Sequence, residues 1–252
     1  MNKIEAFLSR IGLSGEVRHT PDFLEALQFA CVTTIPYENL DILDGKPILL
    51  DADTLFEKIV TNRRGGYCFE VNALLHHMLA EMGFAVESHL ARYLRGESAI
   101  PFRRHRVLTV TCGDDVFFMD IGVGQVAPRH PLKLVEGEVQ EQFGETYRFT
   151  RDAELGWILW DLHDGAWRRY VSFTDERQYE IDFVPPSFWS EKHPDSPFNK
   201  APMLAIKTRD GRKTVDDHTF KEFAAERLSR IEENVSDGRL LAIFREEFGI
   251  ER

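Results

Sequence analysis

One cysteine stands where a nucleophile is readily made. The run Arg63-Arg64-Gly65-Gly66-Tyr67-Cys68-Phe69-Glu70 directly precedes VNALLHHMLAEMG, whose Val71, Leu74, Leu75, Met78 and Leu79 recur at helical spacing up to Gly83. The spacing predicts Cys68 in the first turn of that helix. Unbonded N–H groups and the positive end of the helix dipole favour an anion there, and two arginines lie just upstream, so the position suits a thiolate. Gly65 and Gly66 let another group approach the backbone closely. A buried, unreactive cysteine is the competing reading. Cys31, on the apolar stripe of DFLEALQFACVT, and Cys112, at a strand end, lack this setting and read as inert.

A nucleophilic cysteine needs an imidazole base, and the base needs an orienting group. Nine histidines are available, but one has a geometric argument behind it. HRVLTVTC and DVFFMDIG read as a β-hairpin turning at Gly113-Asp114. With those two residues as the loop, 112 faces 115, 107 faces 120 and 105 faces 122. His105 and Asp120 then become diagonal neighbours on one face, about 7–8 Å apart and within side-chain reach. A three-residue loop would place them on opposite faces. Gly122, opposite His105, leaves room for the thiol-bearing helix. Asp120 sits between Met119 and Ile121 in an apolar strand, where a carboxylate needs a partner. Three arginines, Arg103, Arg104 and Arg106, flank His105 and favour the competing reading of a solvent-facing histidine at a strand start. His76 and His77 read as ordinary residues of the helix behind the cysteine.

Other chemistries find little support. There is no HExxH, no Cys/His cluster and no carboxylate pair at ligand spacing, so no metal site is expected. No GxGxxG or GxxxxGK[ST] loop occurs. The 252 residues carry 31 basic and 42 acidic side chains, a net charge of −11 that opposes nucleic acid or an anionic membrane as partner. Three widely spaced cysteines do not make a disulfide framework. No secretory signal or membrane-length apolar run is visible, so a cytoplasmic location is expected.

The elements that must position these residues fall into three zones. The first third is helical: DFLEALQFACVT starts behind Thr20 and Pro21, and DADTLFEKIV behind Asp51 or Asp53. The middle third changes to short β-branched and aromatic runs from AVESHLARYL to YEIDFV, which predict an antiparallel sheet or barrel. The last third is mixed. The proline-rich stretch 185–202 reads as a connection and MLAIKTRDGRKTV as a hairpin turning at Asp210-Gly211. TFKEFAAERLSRIEE and SDGRLLAIFREEFGI read as helices, the last between Ser236 or Asp237 and Gly249.

With these residues assembled, the chain resembles the arylamine N-acetyltransferases in their shorter prokaryotic form. The similarity runs nearly end to end, through IPYENLDIL (35–43), RRGGYCFEVN (63–72), LARYL (90–94), RHRVLTV (104–110), MDIGVG (119–124), HPDSPF (193–198) and the terminal FGI. The resemblance implies an α+β fold with a helical bundle (1–84), a central antiparallel β-barrel (85–185) and a C-terminal α/β lid (186–252), and a cysteine-protease-like Cys-His-Asp constellation. It implies Cys68 as the acetyl-accepting nucleophile, His105 as its partner and Asp120 as the orienting carboxylate. Acetyl-CoA would be the co-substrate, with no tightly bound cofactor, and an aromatic amine or hydrazine the acceptor. Tyr37, Phe69, Tyr93, Val123 and Phe198 would contact the acceptor, and Arg104 and Gly124 the CoA, with Arg103, Arg104 and Arg106 as a local basic patch. Arg64 and Glu38 would form an ion pair behind the site.

The chain departs from the family at two of these positions. Tyr37 and Val123 stand where phenylalanine is usual, which reshapes the acceptor pocket. Three other readings stay open: an amide synthase using another acyl thioester, a cysteine hydrolase, and an inactive acyl- or CoA-binding module. A degenerate module would have lost a member of the triad, and all three are present.

Overall fold

Apolar residues spaced for helices, with polar caps at their starts, organise the chain as far as Glu81. The protein is described by a computed structural model covering residues 2–252. Helix α1 (Lys3–Arg10) starts at Asn2, whose side chain accepts the Glu5 N–H while Glu5 reaches back to the Asn2 N–H. Helix α2 (Pro21–Thr34) begins behind Thr20 as expected. Strand β1 (Tyr37–Glu38) and the short α3 (Leu40–Leu43) follow. Helix α4 (Ala52–Phe56), capped by Asp51, runs into a π-helical turn over Glu57–Thr61. Helix α5 (Cys68–Glu81) then passes through the interior, so that most of its first eight residues are fully buried. Its Leu74, Leu75 and Met78 pack with Phe7, Leu24 and Leu27 on one side and with Leu108, Val110 and Met119 of the strands on the other.

The barrel strands are β2 (Ala85–Tyr93), β3 (His105–Cys112), β4 (Asp115–Met119), β5 (Leu132–Lys133), β6 (Val139–Gln142), β7 (Glu145–Asp152), β8 (Gly156–His163) and β9 (Ala166–Phe173). They form one antiparallel sheet in the order β5-β4-β3-β2-β9-β8-β7-β6, curled around Phe118, Phe149, Leu159, Tyr170 and Phe173. Side-chain amides bridge its two edges. Gln140 Oε1 accepts the Lys133 N–H and Nε2 donates to the Lys133 carbonyl, and Gln142 does the same with His130. These four bonds stand in for a missing strand ladder and leave the barrel nearly closed.

The proline-rich stretch is ordered structure as well as connection. Val184–Lys192 is helix α6, which takes Pro185 into its first turn where no N–H is needed, and a 3-10 turn follows over Pro197–Asn199. Strands β10 (Met203–Lys207) and β11 (Gly211–Asp216) make the expected hairpin. The expected helix over TFKEFAAERLSRIEE is instead a second hairpin, β12 (Thr219–Ala224) and β13 (Arg227–Glu232). Its alanines, glutamates and arginines favour a helix locally. Pairing with β11 and burial of Phe220 against Leu240, Ile243 and Phe244 override that preference. Ala225 and Glu226 turn the hairpin with φ of 46° and 64°, without the glycine that would have signalled it. Helix α7 (Asp237–Phe248) runs from its Ser236 cap to Gly249, which ends it at φ 67°. The second sheet has the order β1-β10-β11-β12-β13, so an N-terminal strand anchors the C-terminal third. Among the described residues no helix is long and apolar enough to cross a membrane.

A buried ion network fixes the loop that leads into α5. Arg64 bonds Glu38 Oε1 through Nε (3.1 Å) and Nη2 (2.7 Å), and Asp41 through Nη1 (3.1 Å). Lys58 bridges Asp41 (2.9 Å) and Glu70 (2.6 Å). The expected Arg64–Glu38 pair is thus one part of a larger cluster. Gly65 lies so close to Pro36 that a Cβ would fall 1.9 Å from the Pro36 oxygen. Replacing Arg64 by Ala strands the Glu38 carboxylate, which is fully buried, and should cost about 3–5 kcal/mol in urea unfolding. A loss under about 1 kcal/mol would show that the network contributes little to stability.

Candidate active site

The β3–β4 register is the one that brings histidine and aspartate together. Cys112 pairs with Asp115 and Leu108 with Met119, as a two-residue loop requires. The ladder stops at Met119, and Asp120 turns its carboxylate onto His105, Oδ2 to Nε2, at 2.7 Å. His105 is buried and Asp120 has no exposed surface. With Nε2 engaged, Nδ1 is the ring nitrogen left to face Cys68, whose thiol also acts on the charge of the imidazole. Cys68 Sγ also lies 3.9 Å from the Arg104 carbonyl oxygen. Gly122 makes this approach possible, because a Cβ there would sit 2.7 Å from Cys68 Cα and 2.7 Å from Asn72 Nδ2.

Asn72 is the site residue that sequence reasoning missed. It lies one helical turn beyond Cys68, and Nδ2 donates to Asp120 Oδ1 (2.9 Å) and to the Arg106 carbonyl (2.6 Å). Its Oδ1 accepts the Ile121 N–H at 3.0 Å. The Gly122 N–H, at 2.8 Å, completes the shell of Asp120 Oδ1. The available signal was a polar side chain on the buried face of the cysteine helix. Its partners, however, are set by tertiary contact.

These contacts decide the charge on His105. Burial alone would drive the proton off the ring. The charge and hydrogen bond of Asp120, together with the Cys68 contact, outweigh burial and raise the imidazole to about 10. At neutral pH the ring is therefore an imidazolium held between a carboxylate and a sulfur. Burial pushes the Cys31 thiol up to about 12 and also raises Cys112, which suits the inert role expected for both.

Cys68 and His105 open onto a cavity of about 480 Å³. Tyr37, Tyr93, Arg104, Val123, Gly124 and Phe198 line it, along with residues of the second sheet such as Thr214, Lys221 and Phe223. Asp120 lies behind His105, off the surface. Phe69, expected at the acceptor, does not line this cavity: it is fully buried, its ring edge-on to Tyr67 and tilted against Phe183. The expected arginine patch is not free either. Arg106 is buried and paired with Glu180 (2.7 Å), Arg104 holds Glu97 (2.6 Å) and Arg103 holds Glu176 (3.1 Å). A larger cleft of about 800 Å³ is lined by Asp41, Lys58, Arg64 and Glu70, whose charges already satisfy one another. Among the described residues no group of three His, Cys, Asp or Glu is placed to hold a metal ion.

Residues 21–251 match the N-acetyltransferase family model. An arylamine N-acetyltransferase of Escherichia coli K12 is 34% identical over 97% of this chain and 87% of that protein. One from Mycolicibacterium smegmatis is 37% identical over 82% of this chain and 77% of its own length. The chain belongs to the arylamine N-acetyltransferase family. The fold agrees: the structure of the arylamine N-acetyltransferase from Salmonella typhimurium superimposes with a TM-score of 0.95 at 29% identity, covering 99% of this chain and 92% of that one. The Mycobacterium marinum family member, solved in complex with CoA, superimposes with a TM-score of 0.91 at 29% identity, covering 98% and 92%.

The raised imidazole gives a signed pH dependence. His105 lies well above the ordinary histidine value near 6.5, so its contribution to stability is complete below about pH 6.5 and is lost as pH rises through about 10. Unfolding free energy should therefore fall between pH 7 and 10, and Asp120→Asn should flatten that slope. By NMR the His105 ring should titrate near pH 10; titration near 6.5 would overturn the assignment. A separate test is Gly122→Ala, which should push α5 off the barrel and lower the alkylation rate of Cys68 by about tenfold or more. An unchanged rate would mean that the close approach does not matter.

Proposed function

We propose that this chain transfers the acetyl group of acetyl-CoA to aromatic amines or hydrazines through an acetyl-Cys68 intermediate. The observation that carries the reading is the Cys68–His105–Asp120 chain at the start of α5, opening on a cavity that two aromatic hydroxyls and an aliphatic residue share. Cys68 acts as the thiolate of an ion pair with the His105 imidazolium. It attacks the thioester carbonyl, and the CoA sulfur leaves with the proton that His105 gives up. The imidazole, now neutral, takes a proton from the amine as its nitrogen attacks acetyl-Cys68, and the thiolate is regenerated as leaving group. Asp120 holds the ring so that Nδ1 faces the sulfur and stabilises its charged form. N–H groups in the first turn of α5 supply an oxyanion site for the tetrahedral intermediates.

Lys221 is the better candidate for the CoA phosphates than the three arginines, because it lines the cavity and has no ion-pair partner among the described residues. Residues 1–84 then supply the nucleophile, 85–185 the base and its carboxylate, and 186–252 the lid that walls the cavity. Three free cysteines suit a reducing compartment, the cytoplasm.

Incubation with acetyl-CoA alone should add one acetyl group to the intact protein, detected by mass spectrometry and absent from Cys68→Ala. Adding aniline should discharge the adduct as acetanilide faster than water discharges it as acetate. No adduct on the wild type would sink acetyl transfer, and equal discharge by water would make the protein a hydrolase.

A further inference from the structure

Two phenols stand beside the reacting groups, and neither hydroxyl has a hydrogen-bond partner among the described residues. Tyr37 is fixed from two directions: its backbone bridges Gly66, two residues before Cys68, and pairs with Ala205 of β10. Its ring lies against Gly124, where a Cβ would come within 3.2 Å of Tyr37 Cγ. Tyr93 stands edge-on to His105, ring centres 6.5 Å apart, and edge-on to Tyr170 at 6.0 Å. Burial, then the charges of Cys68, Tyr93 and Asp120, keep the Tyr37 phenol protonated and hence a donor. Phenols held this way cannot turn their hydroxyls elsewhere, so whatever fills the cavity must satisfy them or leave them unpaired.

Val123, between Gly122 and Gly124, is the only side chain on that stretch of the lining, and it is small. The cavity is therefore wide beside the nucleophile and carries the Tyr37 donor there, with the Tyr93 ring alongside His105. When an arylamine nitrogen attacks acetyl-Cys68, its ortho carbons lie next to the reacting atoms and its para carbon points away. An ortho C–H would displace water from the phenols without replacing its hydrogen bonds. An ortho hydroxyl would accept from Tyr37 and occupy the width that Val123 leaves. An ortho carboxylate would need a cation beside the nucleophile: Arg104 is already paired with Glu97, and Lys221, on the wall formed by the second sheet, is the cation assigned above to the CoA phosphates.

We propose that Tyr37, acting with Tyr93, selects arylamines that carry a hydroxyl group ortho to the amine. This specificity rests on the acetyl-transfer reading above. It makes Tyr37 a specificity-determining residue of the second half-reaction.

The test compares kcat/KM for 2-aminophenol and 4-aminophenol, with acetyl-CoA as donor, in the wild type and in Tyr37→Phe. The ratio of ortho to para isomer should fall about five- to tenfold in Tyr37→Phe, the effect of losing one hydrogen bond at a site built to make it. A change under about twofold would overturn the proposal. Mass spectrometry of Cys68 acetylation by acetyl-CoA alone separates the two failures. Without an adduct on the wild type, acetyl transfer itself has failed. With the adduct on both proteins and an unmoved ratio, only the ortho selection has failed. An adduct on the wild type but not on Tyr37→Phe would assign the hydroxyl to the donor half-reaction and equally overturn the proposal.

Discussion

A carboxylate with no access to water must be surrounded by donors, and Asp120 meets that demand from three directions. His105 on β3 takes one oxygen, while Asn72 on α5 and the Gly122 N–H share the other. The helical part and the barrel, packed together through the apolar core of α5, β3 and β4, thus also meet at this buried anion. The His105 contact fixes which ring nitrogen faces Asp120 and raises the imidazole. Gly122 removes the side chain that would hold the two parts apart.

Much of this is legible in the amino-acid sequence, for physical reasons that differ by element. The cysteine helix announced itself by apolar spacing and by the glycines before it. The hairpin register followed from its two-residue turn, and with it the meeting of His105 and Asp120. Asn72 was not legible, because a polar residue on a buried helix face shows only that a partner is needed, not which one. The β12–β13 hairpin was hidden because its residues favour a helix and its turn uses Ala225 and Glu226 in place of glycine. The arginines near His105 misled for another reason: a sequence displays charges but not the Glu97, Glu176 and Glu180 that neutralise them.

The distribution of charge carries the same lesson at larger scale. The net charge of −11 is a sum over the whole chain. The surroundings of Cys68 are instead one positive ring enclosed with a carboxylate, where low dielectric makes each contact count. The ion network of Glu38, Asp41, Lys58, Arg64 and Glu70 serves this arrangement from behind, by fixing the loop that sets where α5 begins. Around the pair, Tyr37, Tyr93 and Val123 form part of the wall of the cavity onto which Cys68 and His105 open.

If buried Asp120, through His105, sets the reactivity of Cys68, the rate of iodoacetamide alkylation of Cys68 as a function of pH will differ between the wild type and Asp120→Asn. The wild type should react at pH 7 at least about tenfold faster than the variant, with the two profiles converging only at alkaline pH. Profiles that coincide across the whole range would contradict it.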